Sequence, residues 1–189
     1  RRLDWAIVFA VAVLPAYLLR FELWFVPMTV LEIMLLVVIG VFAVRIIPRG
    51  LRQRACPAYV PWRWALLLWV VAGIVAVVIS PDIRSALGLW KAYIVEPVLF
   101  FIVFVNVIKT SKQIRAVLWG LGASVVIVGF GALLQYLGIA GIPAHYGDEI
   151  PPRATAMFPF PTAVGKFVGP IMALFLGLFL TRTAAVDVA

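Results

Sequence analysis

Leu87-Gly-Leu-Trp-Lys-Ala-Tyr-Ile-Val-Glu-Pro-Val-Leu-Phe-Phe-Ile-Val-Phe-Val-Asn-Val-Ile108 is an apolar run broken by one Lys and one Glu. Coiled as a helix at about 1.5 Å per residue, it reaches about 33 Å. That crosses the roughly 30 Å hydrocarbon core of a bilayer. Five more runs of this kind follow from charges, Pro and Gly as delimiters: 3–19, 27–44, 64–79, 114–137 and 162–181. The pattern predicts an all-α fold, a polytopic transmembrane helical bundle of about six spans. Composition agrees: of 189 residues, 65% are hydrophobic and 13% charged, with a mean hydropathy of +1.13. Soluble domains hold about 45–50% and about 25%. A soluble domain, a disordered chain, a disulfide scaffold and a zinc module are thereby excluded. The sequence reads as one transmembrane domain, 1–189. Opening on Arg1-Arg2 without Met and stopping soon after an apolar run, it also reads as part of a longer protein. A signal peptide is the other reading of the first run, but Pro15 and Arg20 fit a membrane hairpin better.

Lys and Arg set the orientation. With the N-terminus inside, the inner segments carry eleven of them: Arg1, Arg2, Arg45, Arg49, Arg52, Arg54, Arg63, Lys109, Lys112, Arg115 and Arg182. The outer segments carry five: Arg20, Arg84, Lys91, Arg153 and Lys166. Positive-inside bias then places both termini and Cys56 in the cytoplasm. Arg45–Arg63, with five Arg and no acid, is an orientation signal that can also touch anionic lipid, and we read no nucleic-acid partner from it. Trp5, Trp24, Trp62, Trp64, Trp90, Tyr93 and Tyr136 fall near span ends, where aromatic rings sit at headgroup level.

Candidate chemistry lies on the outer face. In Pro27-Met-Thr29-Val-Leu-Glu32, Thr29 and Glu32 have capping-box spacing and Pro27 suits a helix start. A Glu inside an apolar run is also a substrate-site candidate. Ser80-Pro81 reads as an N-cap with Pro in the first turn of a short interfacial helix carrying Arg84. Lys91 and Glu96 sit close together before Pro97, which lacks a backbone donor and can kink the helix. Either Lys91 snorkels and Glu96 is neutralised by a basic neighbour, or the two line a lipid-headgroup cavity.

The segment 142–166 is long for a loop between adjacent spans. Thr162 is the expected cap of the last span, which puts Lys166 in its first turn, where a cation opposes the helix dipole. An anion bound there reverses that sign. Arg153 has the planar fork that suits a phosphate. Arg153, Lys166 and the free N–H groups of one helix start thus make a pyrophosphate site, while two interfacial anchors remain the plain alternative. His145 lies beside Asp148 and Glu149, but one His and two acids in a single loop fall short of a metal or base assignment. Asn106 and Gln135, polar residues near span ends, are expected to join helices.

Arg153-Ala-Thr-Ala-Met-Phe158-Pro-Phe-Pro161-Thr-Ala-Val-Gly165 resembles the Arg-x-x-x-x-Phe-x-Asn-Pro-Asn-x-Leu-Gly pattern of the O-antigen ligase and polymerase family. Pro27-x-Thr29-x-Leu-Glu32 and Lys91-Ala-Tyr93-x-x-Glu96-Pro97 are similar to that family in order and spacing, across its N-terminal half. Here Phe160-Pro161-Thr162 stands where the family often has Asn-Pro-Asn, which changes the side-chain amides and keeps the helix start. The resemblance implies a multi-pass inner-membrane glycosyltransferase that needs no metal or other cofactor. It would move a glycan from a polyprenyl diphosphate carrier to a lipid or sugar acceptor on the periplasmic face. It also implies about twice as many spans, with a large periplasmic loop bearing Arg and His in the second half. Fixed cations aimed at the diphosphate leaving group lower the barrier; Arg153 is the first candidate, then Lys166 and Lys91, then Arg84 and Arg20. Glu96 and Glu32 are headgroup contacts. A transporter is the main rival, and it should show mid-span charges and related halves. A non-catalytic membrane scaffold is the third reading.

Overall fold

The computed structural model describes residues 2–23, 26–53, 59–148 and 152–186. These are mostly helical. Helix α1 (Arg2–Ala12) is followed by a 3-10 segment at Leu14–Leu18. Strands β1 (Arg20–Leu23) and β2 (Val26–Thr29) pair antiparallel, with Arg20 opposite Thr29 and Glu22 opposite Pro27. Then come α2 (Val30–Gln53), α3 (Arg63–Val78), α4 (Ile83–Val107) and α5 (Ser111–Tyr136). A loop with one helical turn at Ala144–Gly147 leads to α6 (Pro161–Val186). The chain forms two compact units, Arg1–Ala10 with Leu19–Val117, and Val11–Leu18 with Leu118–Ala189.

Among the described residues, three helical segments are long and apolar enough to cross a membrane: Ile83–Val107, Ser111–Tyr136 and Pro161–Thr181. They correspond to the expected runs at 87–108, 114–137 and 162–181. Trp119, Ile127, Leu176 and Phe179 on them are exposed, a surface that hydrocarbon solvates better than water.

The other boundaries differ from expectation for identifiable reasons. Helix α1 ends at Ala12 and not at 19, because Pro15 has no N–H and its ring collides with the carbonyl four residues back. Its 11 residues rise about 16 Å, half a bilayer core. Pro27 does not start a helix. It lies in β2, and in a two-stranded ribbon each strand has an unpaired edge that tolerates the missing donor. Helix α2 runs past Arg45 to Gln53, since charge ends a membrane span but not a helix. The expected inner segment from Arg45 is therefore helical in its first half. Arg54, Cys56, Trp24 and Glu149 lie outside the described residues.

Three helix ends show how the sequence writes them. Thr110 and Gln113 form a capping box at α5: Gln113 N–H donates to Thr110 Oγ1 at 3.3 Å, and Thr110 N–H to Gln113 Oε1 at 3.1 Å. Gln113 Nε2 then reaches Asp4 Oδ2 of α1 at 3.2 Å. At the far end of α5, Gly138 takes φ +72°. The N–H groups of Ile139 and Gly138 bond the carbonyls of Leu134 and Gln135, a Schellman closure that favours glycine. Helix α4 starts at Ile83 because Asp82, not Ser80, is its cap. Asp82 accepts from Ser85 N–H at 3.2 Å, while Ser80 Oγ accepts from Asp82 N–H in a tight turn. The Ser85 hydroxyl, then its N–H, hold the Asp82 carboxyl below the usual carboxylate range.

In the first unit α3 and α4 form a close hairpin, and α2 packs along the last half of α4. The hairpin depends on Gly73. A Cβ there would strike Ile94 Cδ1 and lie 2.5 Å from Trp90 Cδ1, and Trp90 Nε1 donates to Val70 carbonyl at 3.4 Å beside it. Gly73→Ala is accordingly expected to push the indole aside and destabilise the fold by about 1–3 kcal/mol, the usual cost of overpacking. Thermal unfolding of the purified protein in detergent, followed by tryptophan emission, checks this. An unchanged midpoint would show that the helices are not in close contact at Gly73.

Candidate functional site

Two polar loci stand out, one in each unit. The first begins with Pro97. Its missing N–H and its ring are incompatible with an uninterrupted α-helix through Tyr93. The helix instead widens into a π turn over Lys91–Val95, in which Glu96 N–H reaches back five residues to the Lys91 carbonyl. Five residues apart on an α-helix, Lys91 and Glu96 would point about 140° away from each other. The π turn stacks them, and Lys91 Nζ lies 3.5 Å from Glu96 Oε1.

Glu32 of α2 completes the cluster. Its Oε1 lies 2.8 Å from Lys91 Nζ. Its Oε2 accepts from Thr29 N–H at 2.9 Å, and Glu32 N–H donates to Thr29 Oγ1 at 3.1 Å. The capping box is thus formed, and the same carboxylate ties α2 to α4. The Lys91 side chain is 38% exposed, Glu32 12% and Glu96 5%. One cation therefore serves two enclosed carboxylates, and Glu96 Oε1 has no hydrogen-bond partner. The lysine's charge is directed inward. Arg84 sits exposed in the first turn of α4 and takes no part in the described contacts of this cluster. At the other end of α4, Asn106 clamps the backbone of Tyr59. Its Oδ1 accepts from Tyr59 N–H at 2.8 Å, and its Nδ2 donates to Tyr59 carbonyl at 2.7 Å. It joins a helix to a loop, where a helix-to-helix link was expected.

The second locus is built on Gln135, the penultimate residue of α5. It is 7% exposed. Its Oε1 accepts from Thr155 N–H at 2.8 Å and Ala156 N–H at 2.7 Å. Its Nε2 donates to Ala156 carbonyl at 3.0 Å, Gly141 carbonyl at 3.2 Å and Thr155 Oγ1 at 3.3 Å. Every lone pair and proton of the amide is used. Ala156 is held at φ +50°, a left-handed conformation that costs a non-glycine residue about 1–2 kcal/mol and that these bonds offset. Two residues before this clasp, Arg153 is exposed. Its N–H donates to Tyr146 carbonyl at 3.1 Å, and its guanidinium carbon lies 5.8 Å from the Tyr146 ring centre. Phe158, buried at 4%, packs between Tyr17 and Phe167 with ring centres 6.1 and 5.7 Å away.

Helix α6 starts at Pro161, so Thr162 lies inside the helix and is not its cap. Proline is pre-set for the first helical position, where no N–H is needed. Lys166 consequently lies in the second turn, exposed, where the dipole effect has largely decayed. The sequence argument from an adverse dipole is weakened; the cation itself remains. Gln135 was missed as a site residue. The signal was present, since a lone amide near a span end precedes a long loop whose backbone needs partners, but its partners lie 20 and 21 residues away.

The Lys91 cluster makes a thermodynamic prediction. Lys91→Met strands two carboxylates and is expected to destabilise by about 3 kcal/mol, the low end for removing the partner of an enclosed charge. Glu96→Gln removes the excess negative charge and is expected to cost under about 1 kcal/mol or to stabilise. Denaturation of both purified variants checks the order, and equal losses would show that Lys91 does not hold the carboxylates.

Compared with known proteins, the chain matches no family model, no curated protein and no solved structure.

Proposed function

We propose that the chain is the N-terminal membrane part of a glycosyltransferase like the O-antigen ligases and polymerases, set in a bacterial inner membrane. Six spans are counted with α1 and the 3-10 segment sharing the first, and both ends of the sequence are cytoplasmic. The donor is a polyprenyl diphosphate-linked glycan, the acceptor a lipid or a glycan, and no metal is used. The observation that carries this reading is Arg153. It is an exposed residue on a loop held by a buried amide, eight residues before the start of α6. As a diphosphate leaves, negative charge grows on its oxygens, and a fixed planar cation stabilises it. Lys166 adds an exposed charge. Lys91, held by Glu32 and Glu96, serves better to fix α2 against α4 than to bind phosphate. An open apolar groove of about 300 Å³ on α3 and α4, lined by Gly73, Val77, Trp90 and Ile94 among others, is compatible with a hydrocarbon chain.

Arg153→Ala in the full-length protein is expected to abolish transfer of labelled glycan while the protein still inserts and accumulates. Arg153→Lys should restore part of it, because a point charge replaces a bidentate fork. Lys166→Ala should weaken donor affinity without loss of fold. Full transfer by both alanine variants would end this assignment. The orientation has its own check: a membrane-impermeant thiol reagent on spheroplasts should leave Cys56 unlabelled until the membrane is opened, and ready labelling beforehand would reverse the topology.

A transporter is favoured by one observation, an enclosed Glu96 beside a π-interrupted helix, the kind of intramembrane ionisable site such proteins use. Liposomes carrying the full-length protein distinguish the two: solute accumulation without glycan transfer would favour the transporter.

A further inference from the structure

We infer that Gln135 is the positioning residue for Arg153, and this rests on the transfer reading above. The guanidinium can act on a diphosphate only if the loop that carries it keeps one shape, and an exposed loop does not do so unaided. Gln135 supplies the constraint. Its Nε2 holds Gly141 carbonyl at the start of the loop, and its two amide atoms hold Thr155 and Ala156 at the end. One buried side chain thereby joins Gly141 to Thr155 and Ala156. Beside it, Arg153 N–H is tied to Tyr146 carbonyl, and its guanidinium rests over the Tyr146 ring. The left-handed turn at Ala156 immediately follows Thr155, whose side chain is fully enclosed, so the backbone leaving Arg153 has a fixed direction. No atom of Gln135 needs to touch substrate. Its effect passes through the loop, and a misplacement of about 1 Å in a group acting on a transition state costs on the order of 100-fold in rate.

The test uses the full-length protein and labelled transfer from a polyprenyl diphosphate donor, with kcat and KM measured separately. Gln135→Leu, which loses every polar contact, is expected to lower kcat by about 10- to 100-fold with little change in KM. Gln135→Glu keeps an acceptor for both N–H groups and should recover part of kcat, which also covers the case in which the leucine variant folds poorly. In an Arg153→Lys background the same Gln135→Leu change should cost under about threefold, because both changes disturb one contact. Hydrogen exchange at the Thr155 and Ala156 amides should accelerate in Gln135→Leu whatever the activity. Normal kcat in Gln135→Leu, with Arg153→Ala inactive, would overturn the positioning role and leave the transfer reading intact. An equal loss in the Arg153→Lys background would make Gln135 merely structural and also overturn it. Absence of transfer by the unmodified protein would overturn both, and normal exchange at the two amides in Gln135→Leu would remove the clasp itself.

Discussion

A proline without a backbone donor, set inside a 25-residue apolar helix, is the constraint on which the first unit depends. In hydrocarbon, water is not at hand to absorb a freed carbonyl, so the helix must rearrange its own bonds. It does so by widening into the π turn at Lys91–Val95. That turn changes the angular spacing of the side chains, and the change brings Lys91 over Glu96. A lysine in that position meets Glu32 of α2, which is itself fixed by the reciprocal bonds of its capping box. The ion pair across α2 and α4 thus joins a helix start set by capping to a π turn set by one missing N–H.

The second unit solves a related problem with a side chain. A loop of irregular backbone has N–H and C=O groups that regular structure does not pair. Gln135, whose amide copies the peptide group, substitutes for a neighbouring strand: it accepts two successive N–H groups and donates to two carbonyls. Asn106 does the same for Tyr59 in the first unit. Both are residues that a hydropathy reading passes over as minor polar interruptions. Here each pairs loop backbone at the end of a long apolar helix.

Apolar runs made the long helices legible, because a bilayer-length stretch leaves little choice of structure. Runs 87–108, 114–137 and 162–181 fall on helices whose bounds differ by a few residues. Capping chemistry was legible too where spacing alone decides it, as at Thr29 and Glu32. It failed at Ser80, where Asp82 with Ser85 three residues on outcompetes it, and at Thr162, where Pro161 takes the first helical position. Run 3–19 was read through Pro15 because hydropathy ignores hydrogen bonding. The π turn was illegible for a different reason. Pro97 predicts that the helix must be disturbed, but not whether it kinks, ends or widens, and only widening puts Lys91 and Glu96 on one face.

Arg153, then Lys166 and Lys91, were ranked as cations for one site, since sequence gives a charge but not its surroundings. Lys91 lies between two carboxylates, so a phosphate approaching it would meet a cluster whose formal sum is negative and would have to displace Glu32 from a contact of 2.8 Å. Arg153 has its guanidinium carbon 5.8 Å from the Tyr146 ring centre, and a ring face attracts a cation through its quadrupole. The two loci therefore differ in what surrounds the cation: Lys91 lies between carboxylates of two helices, and Arg153 lies on a loop whose following residues a buried amide holds.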